Sequence, residues 1–429
     1  MLRKAKQSGG GGCLACSMNL FKVISNYIYN KRDYAINLTK ALIEIPTVNP
    51  PGDNYLRIAD LLEKELKMLR LATKRIRTPK SLLAKHGITD LSPRISLIAD
   101  WRAGAGETLH VNGHYDVVPA IAENWKTPPF KAVLKGDKLY GRGAEDMKGT
   151  IAGIILSVKA LRSLGLTPKI NIQLSFTPDE ETGGMTGFGW LVKSGSIKAD
   201  YGLSEGYTGR YVSCGNKGVL WARVECIGKS AHASVPYRGK NSFDALLEAA
   251  IALKKLQARL KKRKTMFRMR EQKDRFSTMV MGGELSGGGK VNIVPSNSGF
   301  TVDRRLIPEE DLKTASEELL DIINSVARKN KKFRFRVKIL AQDEPVVVDP
   351  GEKICRAVSG AVRAVKKTRP RMLLMPGATD TRYLVKKGIP SVGYSARGGE
   401  SWHGDNEYVY VSGILSAAKV YAMTMLNLK

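Results

Sequence analysis

A chain of 429 residues is long for one hydrophobic core and points to two domains, and with no apolar run approaching the roughly 18 residues of a membrane span it reads as a soluble globular protein. Seventy Lys and Arg against 40 Asp and Glu give a net charge of +30, which suits an acidic substrate, an acidic protein partner or nucleic acid. Nucleic acid is disfavoured, because aromatic residues that could stack on bases are sparse between the basic ones.

Five cysteines, an odd count in a long chain, argue against a disulfide scaffold. Cys13 and Cys16 form a CxxC in a glycine-rich start, but no second CxxC completes a zinc site, so residues 1–17 are expected to be a disordered extension. The same start lacks the apolar core and cleavage site of a signal peptide, and a cytoplasmic location is expected.

From Tyr34, two helical patterns lie either side of a break at Pro46 to Gly52, where Pro50, Pro51 and Gly52 cannot continue a helix. RISLIADW and ETLHVNGHYDVVP then have the apolar character of strands. After the loop LYGRGAEDMKGT, the spacing of Ile151, Ile154, Ile155 and Val158 predicts a helix from Thr150 to about Leu164. KINIQLSFTPDEETGG and ADYGLSEG follow as strands ending in acidic residues. Strands alternating with helices predict a mostly parallel α/β sheet, in which ligands gather beyond the carboxyl ends of strands.

Around Gly215 the pattern changes. KGVLWARVECIGKSAHAS alternates like a half-buried antiparallel strand, a basic helix is expected from about Ser242 to Lys264, and two further strand segments bracket a helix from Glu309 to Arg328. This order predicts a separate α+β unit inserted into the first domain, with boundaries at 18–216, 217–341 and 342–429. SGGGK at Ser286 to Lys290 is not a phosphate loop, since Glu284 and Val291 stand where glycine and Ser or Thr are required.

The polar residues ending the strand runs form one set. His114 and Asp116 lie two apart in an extended segment; Asp146 sits before the helix; Glu180 and Glu181, then Glu205, end the next two strands; His403 lies in SARGGESWHGDNEY. Imidazoles with carboxylates suit zinc, with cobalt or manganese as alternatives, and five ligating groups exceed one tetrahedral site, which favours two metal ions sharing a carboxylate.

The strings HYD, GRGAEDMKG, DEETGG, SEG and WHGDNEY resemble those of the di-zinc exopeptidase and deacylase family that includes acetylornithine deacetylase, succinyl-diaminopimelate desuccinylase, aminoacylase and glutamate carboxypeptidase. The resemblance runs from about Asn30 onward and implies a zinc-exopeptidase catalytic domain with an inserted, ferredoxin-like dimerisation or lid domain, acting on the amide of an N-acyl amino acid or small peptide. It implies that His114, Asp146 and Glu205 hold one metal, that Asp146, Glu181 and His403 hold the other, that Glu180 is the general base, and that Asp116 orients His114. GKSAHASVPYRGKNSFDA resembles the dimerisation signature, in which His232 reaches the site of a partner subunit in a homodimer. Asn292 and Arg305 match positions that hold a substrate carboxylate, with Arg304 a neighbouring ambiguity, and the Gly377 to Asp380 loop resembles a pocket segment. Lys254 to Phe276 is longer and more basic than the family's corresponding region, and Arg75 to Arg94 is also unusual. Two other readings stay open: a hydrolase releasing an amino acid from an acidic carrier protein, and a non-catalytic binding protein on the same fold.

Overall fold

The computed structural model describes residues 14–89, 92–104, 106–399 and 402–428. Cys13 and the glycine-rich start lie outside the described residues, and the first helix is Leu14–Asn30. No described helix is long and apolar enough to cross a membrane. The chain divides into two compact units, one of Met1–Val212, Pro350–Arg371 and Lys387–Lys429, the other of Ser213–Asp349 and Met372–Lys386.

In the first unit, helices Arg32–Ile43 and Tyr55–Met68 flank the proline-rich break. The second buries Tyr55, Ile58, Ala59, Leu62 and Leu66, one stripe of a 3.6-residue period. Its sheet runs in the order Ala72–Arg77, Ile95–Trp101, Asn171–Thr177, Thr108–His114, Tyr201–Ser204, Ser391–Gly393. The first three strands pair antiparallel, and the rest parallel. The sheet is therefore an α/β sheet with a parallel centre and an antiparallel edge. Helix Gly149–Ser163 carries the expected Ile151, Ile154, Ile155 and Val158, but it is buried on nearly all sides, because Val411–Asn427 packs against it as well. A small antiparallel sheet joins Val133–Lys135, Lys138–Tyr140 and Tyr408–Tyr410.

The second unit has the order strand Gly218–Ile227, helix Ser242–Leu260, strands Thr278–Gly287 and Asn297–Leu306, helix Leu312–Lys329, strand Arg334–Asp343. The four strands are antiparallel, with the sequence-first strand in the interior of the sheet next to the third and fourth, which is the ferredoxin-like arrangement. Leu220, Ala222, Val224 and Cys226 alternate inward against Leu246, Leu253 and Leu256 of one helix and Leu319 and Ile323 of the other. Each fully buried leucine there contributes roughly 1.5–3 kcal/mol. The basic helix ends at Leu260, short of Lys264: past Leu260 the chain reads Lys261, Lys262, Arg263, Lys264, with no apolar side chain for another turn to bury. Arg263 instead reaches Glu310 at 2.8 Å and also pairs with Glu318.

Candidate metal centre

The parallel register explains why the polar strand ends meet. His114 pairs with Thr177 and Val111 with Leu203, so the segments that follow Thr108–His114, Asn171–Thr177 and Tyr201–Ser204 leave the sheet at one edge. His114, the last residue of its strand, is buried; Glu180 and Glu181 begin the turn after the second, and Glu205 follows the third at once.

Asp146 reaches them from the loop before Gly149–Ser163. Gly143 has a φ of +80°, and a Cβ there would stand 2.4 Å from Val117 Cγ1, so this turn requires glycine twice over. The Asp146 Oδ1 atom lies 3.0 Å from His114 Nε2 and its Oδ2 atom 3.6 Å from His403 Nε2. His114 Nε2 is also 3.0 Å from Glu205 Oε2, and His403 Nε2 is 2.8 Å from Glu181 Oε2. Ligand atoms of His114, Glu180 and Glu205, and those of His114, Asp146 and Glu181, lie within 4.8 Å of one another. The unit thus brings together His114, Asp116, Asp146, Glu180, Glu181, Glu205 and His403.

The cluster is rich in acid. Burial raises Glu181 to about 7 despite its hydrogen bond with His403, with the Asp146 charge adding to the rise. Burial would also raise Asp146, but its hydrogen bonds with His114 and His403 outweigh that and lower it. His403 is raised to about 10 by Asp146 and then Glu181. His114, which burial alone would lower, is raised well above its ordinary value by Glu205, Asp116 and Asp146. Carboxylates converging on two imidazoles in a partly buried pocket favour a bound cation, and the N and O donor set fits a divalent metal of the zinc type.

The surrounding contacts hold these donors in place. His114 Nδ1 donates to the carbonyl oxygen of Asp116 at 3.1 Å, while the Asp116 carboxylate lies 3.5 Å from the same nitrogen. That carboxylate accepts from the amides of Glu180 and Glu181, each at 3.1 Å, and from Asn49 Nδ2 at 3.0 Å. Asp116 therefore ties the histidine strand to the acidic turn.

Several residues of this frame were not singled out from sequence. Asp179, at φ 65°, is buried and accepts from Tyr55 at 3.0 Å, Asn49 at 3.1 Å, Thr186 at 2.6 Å and Arg94 at 3.3 Å. Lys148 is buried and donates to the Ile45 carbonyl at 2.8 Å, and burial lowers its ammonium to about 7. Glu407 is buried beside the Asp146 loop, accepting from the amides of Gly143 at 2.9 Å, Glu145 at 2.8 Å and Asp146 at 3.1 Å. The only sequence signal for it was its place in WHGDNEY, four residues after His403.

His232, Asn292, Arg305, Gly377 and Asp380 belong to the second unit. His232 is exposed, with Nδ1 2.7 Å from Ser234 Oγ, and pairs across a two-residue ladder with Ile293, next to the exposed Asn292. Arg304 and Arg305 separate as alternation requires. Arg304 is buried and bridges Glu310 at 2.9 Å and Glu318 at 2.7 Å, whereas Arg305 lies on the other face and forks onto Asp303 at 2.9 and 3.0 Å. Asp380 is buried at the start of helix Thr381–Val385, and the Gly377 position leaves open space where a side chain would be.

Known proteins resemble this chain in sequence and fold. Rat aminoacylase-1A is 28% identical over 403 residues, covering 90% of this chain and 93% of that one. A probable succinyl-diaminopimelate desuccinylase of Staphylococcus aureus is 29% identical over 306 residues, covering 67% and 74%. The crystal structure of an M20 family metallo-carboxypeptidase from Sulfolobus solfataricus superposes with a TM-score of 0.71 at 20% identity, over 92% of this chain and 99% of that one, a likeness of fold. The model of Peptidase family M20/M25/M40 matches residues 110–427, and the chain belongs to that family as a metallohydrolase.

Proposed function

We propose that this centre hydrolyses the amide bond of N-acyl amino acids or small peptides with two divalent metal ions, zinc foremost and cobalt or manganese as alternatives. His114, Asp146 and Glu205 would hold one ion, and Asp146, Glu181 and His403 the other. The observation that carries this reading is that the two oxygens of Asp146 face different imidazoles, at 3.0 and 3.6 Å. When bound, such a pair supplies Lewis acidity toward a carbonyl and a water acidic enough to attack near neutral pH.

The remaining work falls to the chain. Glu180 follows Asp179, whose carboxylate is fully engaged, and its own carboxylate lies with His114 and Glu205, where it takes the proton of the attacking water and returns it to the leaving nitrogen. Asp116, through the Glu180 and Glu181 amides, keeps that carboxylate in reach of the scissile bond. In a homodimer His232 of one subunit would donate to the carbonyl oxygen in the other, where negative charge develops. Asn292 and Arg305 would hold the substrate carboxylate, Arg305 exchanging Asp303 for it through the same planar fork. The loop from Gly377 to Asp380 would line the pocket.

Glu180→Gln tests the reading. It should keep fold and metal content while kcat falls by about 10² to 10⁴ on the best substrate of a panel of N-acetyl and N-succinyl amino acids and dipeptides assayed with zinc or cobalt. Near-normal turnover in this variant would sink the mechanism.

A further inference from the structure

Two chain segments far apart in sequence bring Asp146 and His403 together, and each sends a buried charged side chain into the backbone of the other. Glu407, from the His403 segment, reaches the Asp146 loop: Oε1 accepts from the amides of Glu145 at 2.8 Å and Asp146 at 3.1 Å, and Oε2 accepts from the Gly143 amide at 2.9 Å. Arg142, from the Asp146 loop, reaches the other way, donating to the carbonyls of Gly404 at 3.1 Å and His403 at 3.2 Å. The two side chains then meet at 2.8 Å, with 3% and 1% of their side-chain surfaces exposed. Strand pairing of Tyr140 with Tyr408, and the Gly141 amide on the Glu407 carbonyl at 3.0 Å, close the same junction. His114 and Glu205 reach the centre differently, from the ends of the parallel strands.

We infer that Glu407 and Arg142 act as positioning residues, a reciprocal clasp that sets affinity for the cation held by Asp146, Glu181 and His403, two of whose three ligands lie on the clasped segments, and affects less the cation held by His114, Asp146 and Glu205, of whose ligands only Asp146 does. This rests on the two-ion reading above. The chemistry of the clasp leaves little tolerance. All three amides and the guanidinium are donors, so every lone pair Glu407 offers is used by a donor. Glutamine has the same shape but turns an NH₂ toward either Arg142 or the amides of Glu145 and Asp146, and one side of the clasp must open. Lysine at 142 keeps the charge but cannot fork onto Glu407 and two carbonyls together.

The test is zinc binding to the metal-free full chain in competition with a chromophoric chelator, with circular dichroism and melting of each metal-free protein. Wild type should take up two ions. Glu407→Gln and Arg142→Lys should keep the first within about threefold and weaken the second by about 10- to 100-fold, the range for residues that orient ligands. Excess zinc should restore most of the turnover of Glu407→Gln and none of that of Glu180→Gln. Two ions in wild type with unshifted affinities in both variants, or with both ions weakened alike, overturn the clasp alone. Metal-free variants that no longer fold also overturn it, since the pair then holds the fold rather than one ion. Fewer than two ions in wild type overturn the two-ion reading itself and the clasp with it.

Discussion

Asp179, Glu180 and Glu181 are three acids in a row with different tasks. Asp179 takes a left-handed conformation and turns its carboxylate into a buried set of donors from Tyr55, Asn49, Thr186 and Arg94, which leaves Glu180 and Glu181 on the side of His114 and His403. Sequence showed the acidic run and where it falls; it could not show which acid turns away, because that depends on donors 85 or more positions upstream for Arg94, Tyr55 and Asn49. His110 is another buried group with no place in the chemistry. Its Nδ1 donates to Gln173 at 3.0 Å and its Nε2 lies 2.8 Å from Ser175 Oγ, and burial lowers it to about 4. The unfolded chain takes up a proton near 6.5 that the folded chain refuses until about 4, so this group's contribution is full above pH 6.5 and is lost as pH falls toward 4. The loss amounts to roughly 3 kcal/mol over that window. Urea unfolding of wild type and His110→Gln at several pH values across it should show the stability advantage of wild type shrinking by about that amount; a difference that does not change with pH refutes the assignment.

At the scale of elements, most of the frame was legible. The proline break, the helix after Asp146 and the alternating strands of the second unit follow from periodicity and turn residues, and these need no distant partner. The end of the basic helix was less so, because a run of lysines and arginines has good helix propensity and only the lack of an apolar face stops it. The loop before Asp146 shows how sharply one turn is specified. Gly136→Ala and Gly143→Ala both place a side chain at positive φ, at a cost of about 1 kcal/mol, but only Gly143 has a neighbour within 4 Å of the new Cβ. Gly136→Ala should therefore retain full metal content and turnover, while Gly143→Ala should lose at least about tenfold in kcat, with bound metal read by elemental analysis. Equal behaviour of the two would show that the loop adapts.

At the scale of the whole molecule, the proposed function gives the charge of +30 a testable role in substrate approach. An N-acyl amino acid carries a free carboxylate, and a strongly positive protein raises its local concentration and its rate of encounter. We expect kcat/KM for an N-acyl amino acid to fall severalfold between about 20 and 300 mM salt, as the screening length shrinks, and kcat/KM for its neutral amide to stay nearly level. A matching salt response for both would assign the charge another role. The order of the donors along the chain has a consequence for biosynthesis. His114, Asp146, Glu181 and Glu205 precede the entire second unit in sequence, whereas His403 and the strand Tyr408–Tyr410 that pairs with Lys138–Tyr140 follow it. On the ligand set proposed above, a chain still on the ribosome would display four of the donors with the fifth missing and would gain its hydrolytic centre only after the second unit has been made, so that competence to cut amide bonds would arrive late in translation.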